Sequence, residues 1–400
     1  MKQRVIIVTK FYYRRGGDCI YALNLEKMLR EHGHEVAVFA MQYPDNDPSQ
    51  WSAYWPAEVT FSGGITHRIA AMKRTMGIGE VASQFSRLMH DFRPHVVHLN
   101  NIHSYLSPVV ATLAAKAGAR VVWTLHDYKL LCPAYSCMRQ GHTCELCFTD
   151  KSKVLTTRCM KGSLAASTLA YAEALRWNRT TLQRHTDAFI CPSAFMAEKM
   201  RQGRFDPNRL ITLCNFIAPS MLLHYSSADP LAGNTSPYYC YIGRLSEEKG
   251  VRTLLEAASQ LPYTLKVAGD GPLAQELTQR YAHNPRIQLL GRLDATQILQ
   301  LLSHARLSVM PSECYENNPL GVIESLCTGT PVVGAHIGGI PELIDNTRGL
   351  TYKSGDTADL MHTITQAWDT PFDRTAIQTD ALQAFSPETY YTRLIDIYSA

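Results

Sequence analysis

The chain has 400 residues, of which 46% are hydrophobic and 18% charged, and a net charge of +4. That length exceeds one ordinary core and suits two domains, with ample apolar material for both. No run approaches eighteen apolar residues, so no segment reads as a membrane span. The charge is uneven: residues 1–200 carry 24 Lys/Arg against 15 Asp/Glu, residues 201–400 carry 15 against 20. A basic first half points to an anionic partner: lipid headgroups, a diphosphate-linked acceptor or nucleic acid. The basic residues are scattered and no nucleic-acid motif accompanies them, so nucleic acid ranks last. An ordinary solvated surface is the bland alternative.

Met1-Lys2-Gln3-Arg4 ahead of Val5-Ile6-Ile7-Val8 imitates a secretory start, but four apolar residues followed by Lys10 read as a first β-strand over 4–9. The chain is therefore expected in the cytoplasm. A loop with Arg14-Arg15-Gly16-Gly17 follows, then a helix of about fourteen residues. Paired glycines let a backbone approach a ligand closely, although any tight turn would use them. Arg14 and Arg15 suit an acceptor phosphate or plain solvent. Gly33-His34-Glu35 ends the helix and 36–40 is a second strand. Residues 42–64, rich in Pro, Asp, Trp and Ser, read as a surface loop in which Trp51, Tyr54 and Trp55 serve packing, an acceptor or a membrane. A helix over 79–91, a strand over 94–99, a helix near 107–117 and a strand over 121–125 come next. His126-Asp127 lies at the carboxyl end of that last strand, where ligands sit in an open parallel sheet. A structural histidine bonded to a backbone carbonyl is the alternative for His126.

Five of the eleven cysteines fall within residues 132–159: Cys132, Cys137, Cys144, Cys147 and Cys159. A cytoplasmic chain should not hold them as disulfides. Cys144-x2-Cys147, with Cys132 and Cys159 at equal intervals on either side, offers four thiolates for a structural zinc. Cys137 or His142 can replace one ligand; packing thiols or an iron–sulfur cluster are the alternatives. Lys151, Lys153, Arg158 and Lys161 make this segment basic, which also suits contact with the acceptor side. Helical residues follow at 164–184 and 195–201, with strands over 188–191 and 211–216. Residues 226–236 have the Ser, Asp, Pro and Gly content of a linker.

The second half holds strands at 239–242, 265–268 and 287–293, then the stretch 307–333, read as strand, loop, helix and strand, with helices over 358–368 and 376–398 after it. Pro319 suits a first helical turn, Leu320, Val322, Ile323 and Leu326 form an apolar face, and Gly329 stops the helix. The free N–H groups at Leu320 and Gly321 make an anion site suited to a diphosphate. Glu316 and Glu324 flank it. Carboxylates would repel phosphate, so they suit hydroxyls, each accepting two hydrogen bonds from a vicinal diol. An anion site between two diol acceptors describes a nucleotide sugar. Solvated acids beside a helix start are the bland reading.

Glu316-x7-Glu324 resembles the signature of the retaining glycosyltransferases of family 4, although Glu316-Asn317-Asn318-Pro319-Leu320-Gly321 departs from the family's usual Glu-Gly-Phe-Gly-Leu-Pro. Gly243-Arg244-Leu245-Ser246-Glu247-Glu248-Lys249-Gly250 is similar to its Gly-Arg-Leu-x-x-x-Lys-Gly. Gly16-Gly17, His126-Asp127 and Gly338-Gly339-Ile340-Pro341-Glu342 match further motifs in order. The resemblance implies an α/β chain of the GT-B fold, two Rossmann-like doubly wound domains facing a central cleft. The first domain is expected over 1–215, with the Cys-rich insertion 132–159, completed by a helix over about 385–400; the second over 216–384.

It also implies transfer of a sugar from a UDP- or GDP-sugar to a hydroxyl of a glycan or lipid-diphosphate-linked acceptor in bacterial polysaccharide synthesis. Arg244 and Lys249 would neutralise the leaving diphosphate, Glu316 would hold the sugar hydroxyls, Glu324 the ribose, and His126 the transferred sugar. Gly16, Gly17, Gly291, Arg292, Asn318, Pro319 and Leu320 would line the nucleotide-sugar site. No cofactor is expected for catalysis, only the structural zinc at Cys132, Cys144, Cys147 and Cys159. Contact with an anionic membrane at the cytoplasmic face of the inner membrane is a further expectation. A nucleotide-sugar 2-epimerase of the same architecture and a silent sugar-nucleotide-binding subunit are the alternatives.

Overall fold

A computed structural model describes residues 2–61, 64–227 and 237–400. Most of the expected linker, residues 228–236, lies outside the described residues. The chain divides into two compact units. One is Met1–Cys137, Cys144–Cys214 and Tyr390–Ala400; the other is Met138–Thr143 and Asn215–Thr389. The division thus falls at Cys214 and again at Thr389, and the short hairpin of 138–143 groups with the second unit, apart from the rest of the Cys-rich segment.

In the first unit, β1 (Arg4–Val8), β2 (Glu35–Phe39), β3 (Val96–Leu99), β4 (Arg120–Thr124), β5 (Ala188–Cys191) and β6 (Leu210–Thr212) form one sheet. All neighbours are parallel, in the order β2-β1-β3-β4-β5-β6. Helices cover both faces of such a sheet, which is why Val5-Ile6-Ile7-Val8 is a continuous buried run without alternation. The β2 edge is closed by two indoles: Trp51 Nε1 donates to Val36 O at 3.2 Å and Trp55 Nε1 to Val38 O at 2.8 Å. Val36 O also accepts from Arg30 Nη2 at 2.7 Å, so the edge carbonyls are satisfied from the side and both indoles pack there. Residues from Tyr390 onward cover the other end. Tyr398 hydroxyl meets buried His98 Nδ1 at 2.6 Å, and Arg120 Nε donates to Ile397 O at 2.7 Å.

In the second unit, β7 (Tyr238–Ile242), β8 (Thr264–Ala268), β9 (Ile287–Gly291), β10 (Leu307–Met310), β11 (Val332–Ala335) and β12 (Gly349–Tyr352) form a second parallel sheet, in the order β9-β8-β7-β10-β11-β12. The two sheets share one winding. In each, the strand order reverses beside the first strand, between β1 and β3 and between β7 and β10. At such a reversal the loops leave in opposite directions and open a crevice at the carboxyl ends.

Two expected helices are split. Residues 164–184 become Leu164–Arg176 and Arg179–Arg184, because Asn178 accepts from Thr181 N at 3.1 Å and starts a new helix. Residues 376–398 become Arg374–Ala384 and Pro387–Ser399, since Pro387 cannot donate to the preceding turn. A helix at Ile65–Thr75 had no counterpart in the sequence reading.

Candidate functional site

The crevice of the second unit is built by two loops that touch. After β7, a single turn over Glu247–Lys249 ends at Gly250, whose φ is +65°. A Cβ there would lie 1.9 Å from Pro311 O, so only glycine allows this approach. Glu313 N donates to Glu248 O at 2.9 Å and ties the loop after β10 to the loop after β7. The consequence is a pair: Lys249 Nζ stands 2.5 Å from Glu316 Oε1, which also accepts from Ser312 Oγ at 2.6 Å. Burial alone would depress the Lys249 ammonium, but Glu316 beside it holds it above the ordinary lysine range. The backbone of Glu316 is fixed from behind. Gly339 N donates to Glu316 O at 2.7 Å, and a Cβ on Gly338 (φ +61°) would fall 2.3 Å from that oxygen. The Gly338-Gly339-Ile340-Pro341-Glu342 turn therefore positions Glu316.

The helix after this loop is Leu320–Cys327, and Pro319 is its N-cap, one residue earlier than the first-turn place expected. Its ψ of 119° is extended, and a proline has no side-chain acceptor to offer. The amides of Leu320 and Gly321 are left without partners among the described residues. Glu324 lies one turn further on. No side-chain hydrogen bond or ion pair engages its carboxyl among the described residues, and burial pushes it up to about 7. Arg244 is exposed just past β7 and has no carboxylate within ion-pair distance among the described residues. Gly291 and Arg292 are exposed at the end of β9, with Gly291 O accepting from Gly269 N at 2.7 Å. Asn318, expected at the donor site, is buried there, with its Nδ2 unpartnered among the described residues. Its Oδ1 accepts from Asn215 N and its backbone O from Asn215 Nδ2, both at 2.9 Å. It clamps the loop to the start of the unit.

The first unit places a buried polar cluster at the corresponding crevice. Gly16 caps the helix Gly17–Glu31 without a side-chain acceptor, and Asp18 in its first turn accepts from Asn101 Nδ2 at 2.7 Å. Arg14 and Arg15 are exposed, Arg15 lying 4.1 Å over the Phe11 ring. His126 Nε2 meets Asn100 Oδ1 at 3.0 Å, while Asn100 Nδ2 donates to Val8 O. That orientation makes Nε2 the donor and leaves Nδ1 a lone-pair acceptor. Burial pushes His126 down to about 4, so it is neutral near pH 7. Burial depresses Lys10, which Asp127 and Asp18 oppose, and raises Asp127. Burial would raise Asp18 too, but the His126 ring, the Asn101 bond and Lys10 keep it below the usual aspartate range. Lys129 pairs with Glu173 at 2.8 Å beside a cavity of about 200 Å³ that His103 and Trp177 also line. Lys10, Asp18, Asn100, Asn101, Lys129 and Glu173 escaped the sequence reading. Lys10 and Asn100-Asn101 follow strands as His126 does, and that placement was the available signal.

The four cysteines expected to hold zinc all lie in the first unit. All eleven cysteines are free thiols, and among the described residues no three His, Cys, Asp or Glu side chains converge to hold a metal ion. Cys137 shares its thiol hydrogen with Cys132, while Cys159, past the left-handed Arg158, meets Thr157 Oγ1 at 2.8 Å. Cys147 nonetheless stands within electrostatic reach of Cys132, Cys144 and Cys159.

Residues 16–215 match the model of the glycosyl transferase 4-like domain, and residues 236–370 that of the glycosyl transferases group 1. An uncharacterised 42.6 kDa protein in the cps region of Klebsiella pneumoniae is 23% identical, over 85% of this chain and 87% of that one. A glycogen synthase of Mycobacterium tuberculosis is 26% identical, over 89% and 83%. Among solved structures, Anabaena HepE in complex with UDP-glucose superposes with a TM-score of 0.66 at 18% identity, covering 99% of each chain.

Proposed function

The chain belongs to the group 1 glycosyltransferases of the GT-B fold, with a glycosyltransferase 4-like first half, and on that premise we propose a retaining transfer of a hexose from a UDP-sugar to a hydroxyl of a bacterial surface glycan or its lipid-linked precursor. One observation carries the donor side: Lys249, Glu316 and the unpartnered amides of Leu320 and Gly321 share one crevice, with an unengaged carboxyl at Glu324. The amides, Lys249 and Arg244 suit a diphosphate, Glu324 the ribose diol, and Glu316 the hexose hydroxyls. The UDP-glucose bound by HepE and the cps region of the Klebsiella relative support the donor class and the polysaccharide setting.

In this mechanism the bond between the anomeric carbon and the phosphate oxygen breaks, and the acceptor oxygen bonds to that carbon on the same face. The acceptor proton passes to the departing phosphate. Lys249 and Arg244 stabilise the charge that grows on the leaving diphosphate. His126 Nδ1, a neutral acceptor, suits a saccharide hydroxyl. The test is a screen of UDP-, GDP- and ADP-sugars by thermal shift and by nucleotide release. The reading expects stabilisation by a UDP-sugar and slow release of UDP. Well-folded protein that answers to none of the three would overturn it. Release of a changed nucleotide sugar without UDP would favour the epimerase alternative.

A further inference from the structure

Among the described residues, nothing covers one apolar face of the helix Ile65–Thr75. Ile65 is 78% exposed, Ile69 48% and Met72 48%, and Ile78 beyond the helix end is 60% exposed. Ile65, Ile69 and Met72 are spaced by four and three residues, so they form one stripe along the helix. At 3.6 residues per turn, Arg68 falls on one side of that stripe and Lys73 on the other. Residues 59–79 contain no Asp or Glu.

Among the described residues, the contacts below hold the helix toward its carboxyl end. Arg74 is buried there and donates to Ala57 O at 2.6 Å while pairing with Glu80. Thr75 Oγ1 donates to Ser104 O at 3.0 Å, and Trp177 Nε1 donates to Thr75 O at 2.9 Å. Gly77, at φ +79°, lies against the Trp177 ring, where a Cβ would approach to 2.7 Å. Residues 64–70 are all exposed. Large aliphatic side chains standing in water at one end of an anchored helix forgo a burial term that an ordinary surface helix would collect.

We propose that the Ile65–Thr75 helix docks this protein on a bilayer of anionic phospholipid. A cation-flanked apolar stripe is the pattern of a helix lying in the interfacial plane, with its aliphatic side chains among the acyl chains and its cations at the headgroups. Charge decides between a bilayer and a protein groove, since a stripe bordered only by cations matches a surface that is uniformly negative. No described helix is long and apolar enough to cross a membrane, so contact of this kind is lateral. The inference does not depend on the donor site.

The test is flotation of the full chain with phosphatidylcholine vesicles, with and without about one-third phosphatidylglycerol. Binding is expected on the anionic vesicles, with at least about a tenfold loss on neutral ones or in high salt. Ile65→Glu/Ile69→Glu should abolish it, and Arg68→Gln/Lys73→Gln should weaken it about tenfold. Ile65→Glu/Ile69→Glu should leave melting and the stabilisation by a UDP-sugar unchanged, because those two side chains are exposed. Wild-type protein that stays off anionic vesicles overturns the proposal, as does equal binding by the double Glu variant. Concentration-dependent self-association that Ile65→Glu/Ile69→Glu removes, without vesicle binding, would assign the stripe to a protein interface and equally overturn it. Vesicle binding with no response to any nucleotide sugar would refute the donor reading alone.

Discussion

Glu324 carries a cost that a ligand can relieve. Burial without a partner raises its carboxyl to about 7, above the unfolded value, so the folded chain holds that proton more tightly than the unfolded chain does. Stability from this group is therefore lost as pH rises from about 4.5 toward 7. Ribose hydroxyls donate to the carboxylate, so donor binding favours the ionised form. The UDP-sugar Kd should fall by up to roughly tenfold per unit as pH rises from about 5 to 7, then level off. Titration calorimetry at several pH values checks this, and a flat profile would remove Glu324 from the site. Glu324→Gln should melt higher than wild type near pH 8 yet bind donor more weakly.

The Lys249–Glu316 pair gives a second prediction at this scale. Lys249→Met should lower kcat by about 100–1,000-fold, the usual effect of removing one donor to a developing anion. The same variant leaves Glu316 unpaired in a half-buried loop, so its melting temperature should also drop. Steady-state rates and a melting curve separate the two effects, and turnover within threefold of wild type would contradict the assigned role.

At the scale of elements, the crevice depends on glycines that let loops interpenetrate. Gly250 and Gly338 both have positive φ and both face a backbone oxygen closer than any Cβ could stand. Gly338→Ala combines left-handed strain with a clash at Glu316 O, and should cost at least about 2–3 kcal/mol. It should also displace Glu316 and weaken donor binding. Gly291→Ala, with positive φ but open space around it, should cost only about 1–2 kcal/mol. Urea melts of the two variants check that difference. A sequence motif containing two glycines does not say which of them needs its φ and which needs its space.

At the scale of the molecule, the chain's last residues complete a core laid down by its first. Tyr390, Leu394, Ile397 and Tyr398 are buried, and Tyr398 satisfies His98 inside the first unit. Burying each is worth about 1.5–3 kcal/mol, so losing four approaches the whole 5–15 kcal/mol stability of a domain. Truncation after Thr389 should abolish the cooperative melt of the first unit. A truncated chain that melts as wild type would show that the first unit does not need this helix.

Much of the fold was legible. Continuous apolar runs ending in Gly, Asn or His marked the strands, and their alternation with helical patterns marked a parallel sheet. The proposed donor residues could be grouped from sequence because fixed spacing within one loop and helix keeps Glu316, Pro319 and Glu324 together however the rest is arranged. Local chemistry also determined the positions of helix starts to within a residue or two, as at Pro319. What the sequence could not decide were contacts between residues far apart in it. Asn318 is held by Asn215, and the tryptophans of the 42–64 loop donate to Val36 and Val38 at a sheet edge, partners that no local motif names. The Thr157 hydroxyl beside the Cys159 thiol is another contact that cysteine spacing does not give. The apolar stripe at Ile65, Ile69 and Met72 has the ordinary pattern of a core-facing helix, and only the tertiary structure leaves it in water. Local patterns are set by short-range sterics and hydrogen bonding, whereas burial and partnership are properties of whatever else folds against a residue.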